Sequence, residues 1–243
     1  MKKAIGYVYV IAAAVCWGFL GLFNRVLTAA GVSLLNMMPL RFGGTAILFT
    51  VFCMMFKQQV FHIKLRHLPI FLGSGLISML LVLCGCALVS GIVGSDVGIS
   101  LEGLLMGLAS ELCYGGYTIF THYGMRYCDS FTMAYWTFLI AGIASLFLAD
   151  GPALLSALAE PRTGLAALGL MVMGTALPFT LYTKGLETVE SGKAAIIANI
   201  ELVMSAVIGV TVFQETLGLW TLVGIVLVLS GVVVLACEKE PDK

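Results

Sequence analysis

Charge is what this sequence is shortest of. Asp, Glu, Lys and Arg make up 11% of its 243 residues, less than half of the roughly 25% usual in a soluble domain. The 13 basic and 13 acidic residues cancel to a net charge of zero, so no basic excess points to a nucleic-acid partner. Metal-ligating patterns are equally thin. Seven cysteines (Cys16, Cys53, Cys84, Cys86, Cys113, Cys128, Cys237) contain no Cys-x-x-Cys pair, and five of them sit inside apolar runs. They read as small buried thiols rather than ligands. His62, His67 and His122 lie near basic residues at segment ends, so neither a metal site nor a cofactor is expected. No nucleophile elbow, phosphate-cradling loop, zinc spacing or paired catalytic acid and base occurs. The chain is not expected to be an enzyme, and no catalytic residue is assigned.

What is present in abundance is apolar surface. Hydrophobic residues account for 60% of the chain and the mean hydropathy is +1.05. A hydrocarbon core of roughly 30 Å needs about 20 helical residues. Eight runs meet that need: Gly6–Thr28, Met37–Phe56, Pro69–Val93, Leu101–Tyr123, Phe131–Ala149, Gly164–Tyr182, Lys193–Phe213 and Gly218–Cys237. The connections between them carry turn chemistry, such as Gly94-Ser95-Asp96 and Asp150-Gly151-Pro152. The alternation of a β-barrel is absent. An all-α membrane protein with eight transmembrane helices is therefore expected. Lys2-Lys3 followed by an apolar run is rejected as a cleaved signal, because the run has a repeat partner further along the chain.

The sparse basic residues set the orientation. With the amino terminus in the cytoplasm, ten of the 13 fall inside, Lys57, Lys64 and Arg66 among them, and only Arg25, Arg41 and Arg162 fall outside. This predicts a multi-pass protein of the plasma (cytoplasmic) membrane with both termini cytoplasmic.

An internal repeat organises these spans. Aligning Gly6–Phe23 with Gly103–Phe120 gives five identities in 18 pairs: Gly6/Gly103, Ala12/Ala109, Cys16/Cys113, Gly18/Gly115 and Phe23/Phe120. Trp17 falls on Tyr114, Met37 on Met133 and Phe42 on Phe138. Gly75 meets Gly174 at an offset of 99, but Leu81–Gly85 meets Leu227–Gly231 at an offset of 146. The first copy thus lacks 47 residues that the second keeps. The copies begin at spans one and four and so enter the membrane in opposite directions, as inverted repeats do. Restoring the 47 residues would give five spans per half. The join falls near Leu80–Val82, and the third span is expected to run through it unbroken.

On these residues the chain resembles the EamA-type transporters of the drug/metabolite transporter superfamily. The resemblance rests on Ala13–Gly18 and Ser110–Gly115 in the first helix of each half, on Arg41-Phe42, and on Lys184-Gly185-Leu186 followed by Ser191–Ala195. It also rests on Ile200–Val203, where Leu202 stands in place of a frequent proline, and on Phe213-Gln214-Glu215 with Gly224 and Gly231. The resemblance implies an inverted-repeat bundle of ten helices carrying small metabolites. This chain departs from it in the first half. Residues 1–98 read as a repeat shortened to three helices, and 99–243 as a repeat of five.

Charge inside a membrane costs about 2.5–3.5 kcal/mol at a helix centre, so each instance invites a reading. Glu111, Tyr114, Thr118 and Thr121 share one helix face and would suit a polar solute or a proton. The alternative is that Glu111 pairs with a base such as Arg41 to fix packing. Glu201, with Asn199 and Ser205 nearby, lines a cavity or carries a proton, or else makes a structural hydrogen bond. Arg41 binds solute or snorkels to the interface. Trp17, Tyr114, Tyr117 and Trp136 could stack on a flat solute or simply pack. Asn24 and Arg25 read as interfacial anchors, and Glu102 and Glu215 as boundary residues. The substrate-binding or coupling candidates are therefore Trp17, Arg41, Glu111, Tyr114, Thr118, Asn199 and Glu201.

The reading that follows is a carrier moving a small metabolite or drug-like solute across the lipid bilayer by alternating access, with proton coupling through Glu111 or Glu201. The alternative is a transport-incompetent relative, or a homodimer that completes its cavity by association.

Overall fold

The computed structural model describes residues 2–56, 58–61, 67–89 and 101–237, and is helical with no strand among them. Eight rods follow the eight apolar runs. Spans 1, 2, 6 and 7 are Ala4–Ala29, Leu35–Phe56, Pro161–Gly185 and Ser191–Phe213, each long and apolar enough to cross a membrane. Spans 3, 4, 5 and 8 are Leu68–Val89, Leu101–Gly124, Ser130–Ser145 and Leu219–Cys237. Span 3 runs unbroken past Leu80–Val82, as the sequence predicts. Lys57, the segment 62–66, the 90–100 connection and the last six residues, with the expectations placed on them, lie outside the described residues.

Asp150-Gly151-Pro152, read from sequence as a turn, instead opens a further short helix, Gly151–Leu158. Asp150 caps it by accepting from the Ala153 N–H at 3.3 Å, and proline occupies its first turn. These are ordinary helix-start signals. Leu154, Ala157 and Leu158 lie against a small core of Leu27, Val32, Met37, Leu40, Ala166 and Leu170. That core gathers the end of span 1 and the starts of spans 2 and 6 at one end of the bundle. Asn36 ties it down by accepting the Asp150 N–H at 2.8 Å.

At the same end Arg25 pairs with Glu215 and lies 4.4 Å from the Phe213 ring centre. The interfacial anchor and the boundary carboxylate of the sequence reading are thus partners. The opposite end brings Gly6 at the start of span 1 against Thr188, which follows span 6. It also holds the turn after span 4, where Tyr127 lies 4.4 Å from His67. Span 1 therefore starts at the end where span 4 finishes, and the two repeat copies run antiparallel.

Close approach depends on small residues, because lipid offers no hydrophobic drive between helices. A Cβ on Gly75 would stand 2.7 Å from Ile140 Cβ, and one on Gly142 would stand 2.9 Å from the Gly43 Cα. The buried Ser74 and Thr137 hydroxyls meet at 2.7 Å across spans 3 and 5. The main core is aromatic and central, with Trp17, Phe42, Phe49, Tyr117, Phe138, Phe179 and Tyr182 buried together.

Candidate functional site

Spans 1, 2, 6 and 7 each change their winding part-way along. Span 1 is interrupted at Phe19, whose N–H bonds three residues back to Cys16 at 3.1 Å. Span 7 is interrupted at Asn199, between Ser191–Ala198 and Ile200–Phe213. Spans 2 and 6 widen to π-helix over Pro39–Gly44 and Val172–Ala176. Proline explains the second of these. Its ring clashes with the carbonyl four residues back and its nitrogen donates nothing, so Pro178 opens span 6 at Gly174, whereas Pro39 stands at the start of its π-segment. π-segments inside α-helices recur at functional sites.

Polar side chains take up the backbone groups that these irregularities release. Thr175 Oγ1 donates to the Leu170 carbonyl at 3.0 Å, and Thr45 Oγ1 donates to the Met171 carbonyl at 3.1 Å. Arg41 Nε donates to Thr175 Oγ1 at 3.2 Å, joining the two π-segments, and its guanidinium lies 6.0 Å from the Phe179 ring centre. Arg41 is half-buried, with its Nε held by Thr175. Asn199 Nδ2 donates to the Ala195 carbonyl at 3.2 Å. The two interruptions touch, because Gly18 lies 3.3 Å, measured from an ideal Cβ, from the Glu201 carbonyl.

Between these points sits an aromatic cluster. Trp17 is 5.1 Å from Phe179, 5.3 Å from Tyr182 and 6.3 Å from Tyr114, centre to centre. Phe179 also meets Tyr117 at 5.4 Å and Phe138 at 5.1 Å. Thr118 bonds the Tyr182 hydroxyl at 3.1 Å and donates to the Tyr114 carbonyl at 2.9 Å. The Glu201 carboxylate is close enough to Tyr114 and Tyr182 to act on both phenols.

Among the described residues, several polar atoms in this cluster are buried without a hydrogen-bond partner at normal geometry: Trp17 Nε1, the Tyr114 and Tyr117 hydroxyls, Thr121 Oγ1 and Thr183 Oγ1, with the Tyr114 phenol facing the Tyr182 hydroxyl. Thr121 and Thr183 face the Tyr117 phenol without reaching normal bonding geometry. Each such orphan costs about 1–3 kcal/mol, and these all lie in one place. Beyond them, at the Gly6/Thr188 end, an open recess of about 570 Å³ is lined by His122, Leu186, Glu187, Thr188 and Glu190.

Of the residues singled out from sequence, the structure brings together Trp17, Tyr114 and Thr118, with Glu201 beside them and Arg41 at the Phe179 edge. Asn199 shapes the backbone just before Glu201. Glu111 lies on span 4, but its side chain is outside the described residues. Trp136 stands apart, donating to the Val60 carbonyl at 2.9 Å. Sequence reasoning missed Phe179, Tyr182, Thr175 and Thr183. Pro178 was the available signal, since a proline inside an apolar run marks where a helix must open.

Antiparallel repeats with interrupted spans around a buried aromatic and polar cluster fit the architecture of a multi-pass membrane transporter. The chain matches the EamA-like transporter family over residues 101–237, more than half its length, and it belongs to that family. Over 68 residues it is 40% identical to a protein of Archaeoglobus fulgidus named "Uncharacterized transporter". That match covers 28% of this chain and 25% of the archaeal protein, so the chain spans only a quarter of that relative's length.

Proposed function

We propose that the chain is a secondary carrier that moves a small metabolite or drug-like solute by alternating access between two inverted halves, residues 1–98 and 99–243. It works in the plasma membrane with both termini in the cytoplasm, and a proton bound at Glu201 couples to the solute. One observation carries this reading. The buried orphan polar atoms of Trp17, Tyr114, Tyr117, Thr121 and Thr183 lie in and beside the aromatic cluster shared by spans 1, 4 and 6. Buried groups of this kind are paired in a core built only for stability. In a carrier they meet solute or water when the cluster opens.

Aromatic walls take the apolar body of a solute, and the hydroxyls and indole N–H orient its polar atoms. Glu201 sits in the first turn of Ile200–Phe213, where the positive end of the helix dipole steadies a carboxylate. The recess at His122 and Glu190 is the way in from the cytoplasmic side. The test is uptake of a panel of small metabolites into proteoliposomes with and without a pH gradient. Gradient-driven uptake that is lost in Glu201→Gln, with folding intact, supports coupling at this residue. Full gradient-driven uptake by Glu201→Gln contradicts it.

A further inference from the structure

Gly18, Gly21 and Arg25 follow one another at spacings of three and four, which sets them on one stripe of span 1. That stripe meets span 7. A Cβ on Gly18 would stand 2.4 Å from Met204 Cβ, and one on Gly21 would stand 3.7 Å from Ser205 Oγ. At Arg25 the contact is made by the ends of two long side chains, its own and that of Glu215. Exposure rises in the same order, with Gly18 buried, Gly21 half-buried and Arg25 exposed. The two spans thus diverge from Gly18 towards the Arg25 end. The wedge between them starts beside Glu201, whose carbonyl lies 3.3 Å from the Gly18 Cβ position, and the ion pair crosses its mouth.

Several features hold the two charges there. Gln214 ends span 7 at φ +55°, the one non-glycine residue with a positive φ among the described residues. That conformation is unfavourable for a residue with a side chain, and strain of this kind collects at switches. It turns the chain so that the Glu215 N–H donates to the Gly209 carbonyl at 3.1 Å. Gly209 leaves room for the carboxylate, because a Cβ there would stand 2.6 Å from Glu215 Oε2 and meet no other residue within 4 Å. The Arg25 guanidinium lies on the Phe213 ring, a cation–π contact. At the opposite end of the bundle the recess at His122 and Glu190 is open.

We propose that the wedge between spans 1 and 7 is a second entrance to the aromatic cluster, on the face opposite the recess, and that Arg25–Glu215 is the latch that closes it. The latch rests on the alternating-access reading. An exposed ion pair contributes little by itself, and that suits the task. It biases the mouth towards closure and still breaks in every cycle.

The test uses the full chain, freed of native cysteines, in lipid nanodiscs. Spin labels go on Thr28→Cys and Leu217→Cys, exposed positions three residues past Arg25 and two past Glu215, and pulsed electron resonance measures their separation. Arg25→Gln, Glu215→Gln and Gly209→Ala should each raise the ratio of long to short separations about three- to fivefold. The double variant Arg25→Gln/Glu215→Gln should open no further than either single one. Lys184→Gln, which removes a comparably exposed ion pair at the recess end, should change nothing. In proteoliposomes, labelling of Thr118→Cys by an impermeant reagent on the latch face should rise by the same factor. Separations that the three variants leave unmoved, or effects of Arg25→Gln and Glu215→Gln that multiply in the double variant, would overturn the latch. A wider mouth without faster labelling would overturn it as well. Labelling from both faces at rates the variants leave unchanged would remove the latch and keep alternating access. No labelling from either face in any variant would remove alternating access itself, and the latch with it.

Discussion

Phe42 and Phe138 stack on one another, with ring centres 6.3 Å apart and planes 26° apart, and they occupy the same position in the two repeat copies. Trp17 and Tyr114, also equivalent, stand 6.3 Å apart. Residues can touch their own repeat partners only near the axis relating the copies. That axis therefore passes through the aromatic core, beside the orphan polar cluster. Both rings of the Phe42–Phe138 pair are fully buried. Replacing either by Ala should destabilise the protein by about 3–5 kcal/mol. A double-mutant cycle should return a coupling of about 0.5–1.5 kcal/mol, read from reversible unfolding in mixed micelles.

Close packing of the two interrupted spans gives a second prediction. The atom facing Gly18 is Met204 Cβ, which cannot swing aside. Gly18→Ala should cost about 1–3 kcal/mol. Gly21→Ala, three residues on, would meet only Ser205 Oγ at 3.7 Å and should gain up to about 1 kcal/mol from helix propensity. Thermal unfolding of the two variants side by side checks the contrast.

The orphan hydroxyls predict a trade between stability and activity. Thr121→Val and Thr183→Val each replace an unpaired buried hydroxyl by a methyl of the same shape. Each variant should be as stable as the wild type or up to about 1 kcal/mol more stable, and should move solute more slowly. Destabilisation by either would mean that the hydroxyl is bonded in the membrane.

Cys128 lies in the turn between spans 4 and 5. Burial, with Asp129 beside it, pushes its thiol up to about 11. Only the thiolate reacts, so alkylation at pH 8 should run roughly 100-fold slower than for a thiol at the ordinary value near 9. The rate should climb as pH rises towards 11. Mass-spectrometric labelling across pH 7–11 measures it, and rapid modification at pH 7 would contradict the burial.

The spans were legible because nothing but a membrane helix tolerates runs of twenty apolar residues, and the antiparallel copies followed from counting three spans between repeats. Trp17, Arg41, Tyr114 and Glu201 stood out because polar and aromatic groups are conspicuous in such runs. Phe179 was invisible, since one more phenylalanine in an apolar helix signals nothing until Trp17, Tyr117 and Phe138 converge on it. Thr175 and Thr183 acquire meaning only from the π-segment and from the facing Tyr117. Helix Gly151–Leu158 was hidden because its Asp-Gly-Pro start also spells a turn. The Arg25–Glu215 pair joins residues 190 apart in sequence, a distance that no local pattern encodes.

The central claim is that the buried cluster opens in turn to the two sides of the membrane. Thr118, which is 2% exposed and touches Tyr182, reports on it without any knowledge of the solute. In a cysteine-free background, Thr118→Cys in oriented proteoliposomes should react with a membrane-impermeant thiol reagent added to either face alone. Reaction from neither face, or from one face only, while the unfolded protein labels fully, would contradict the account.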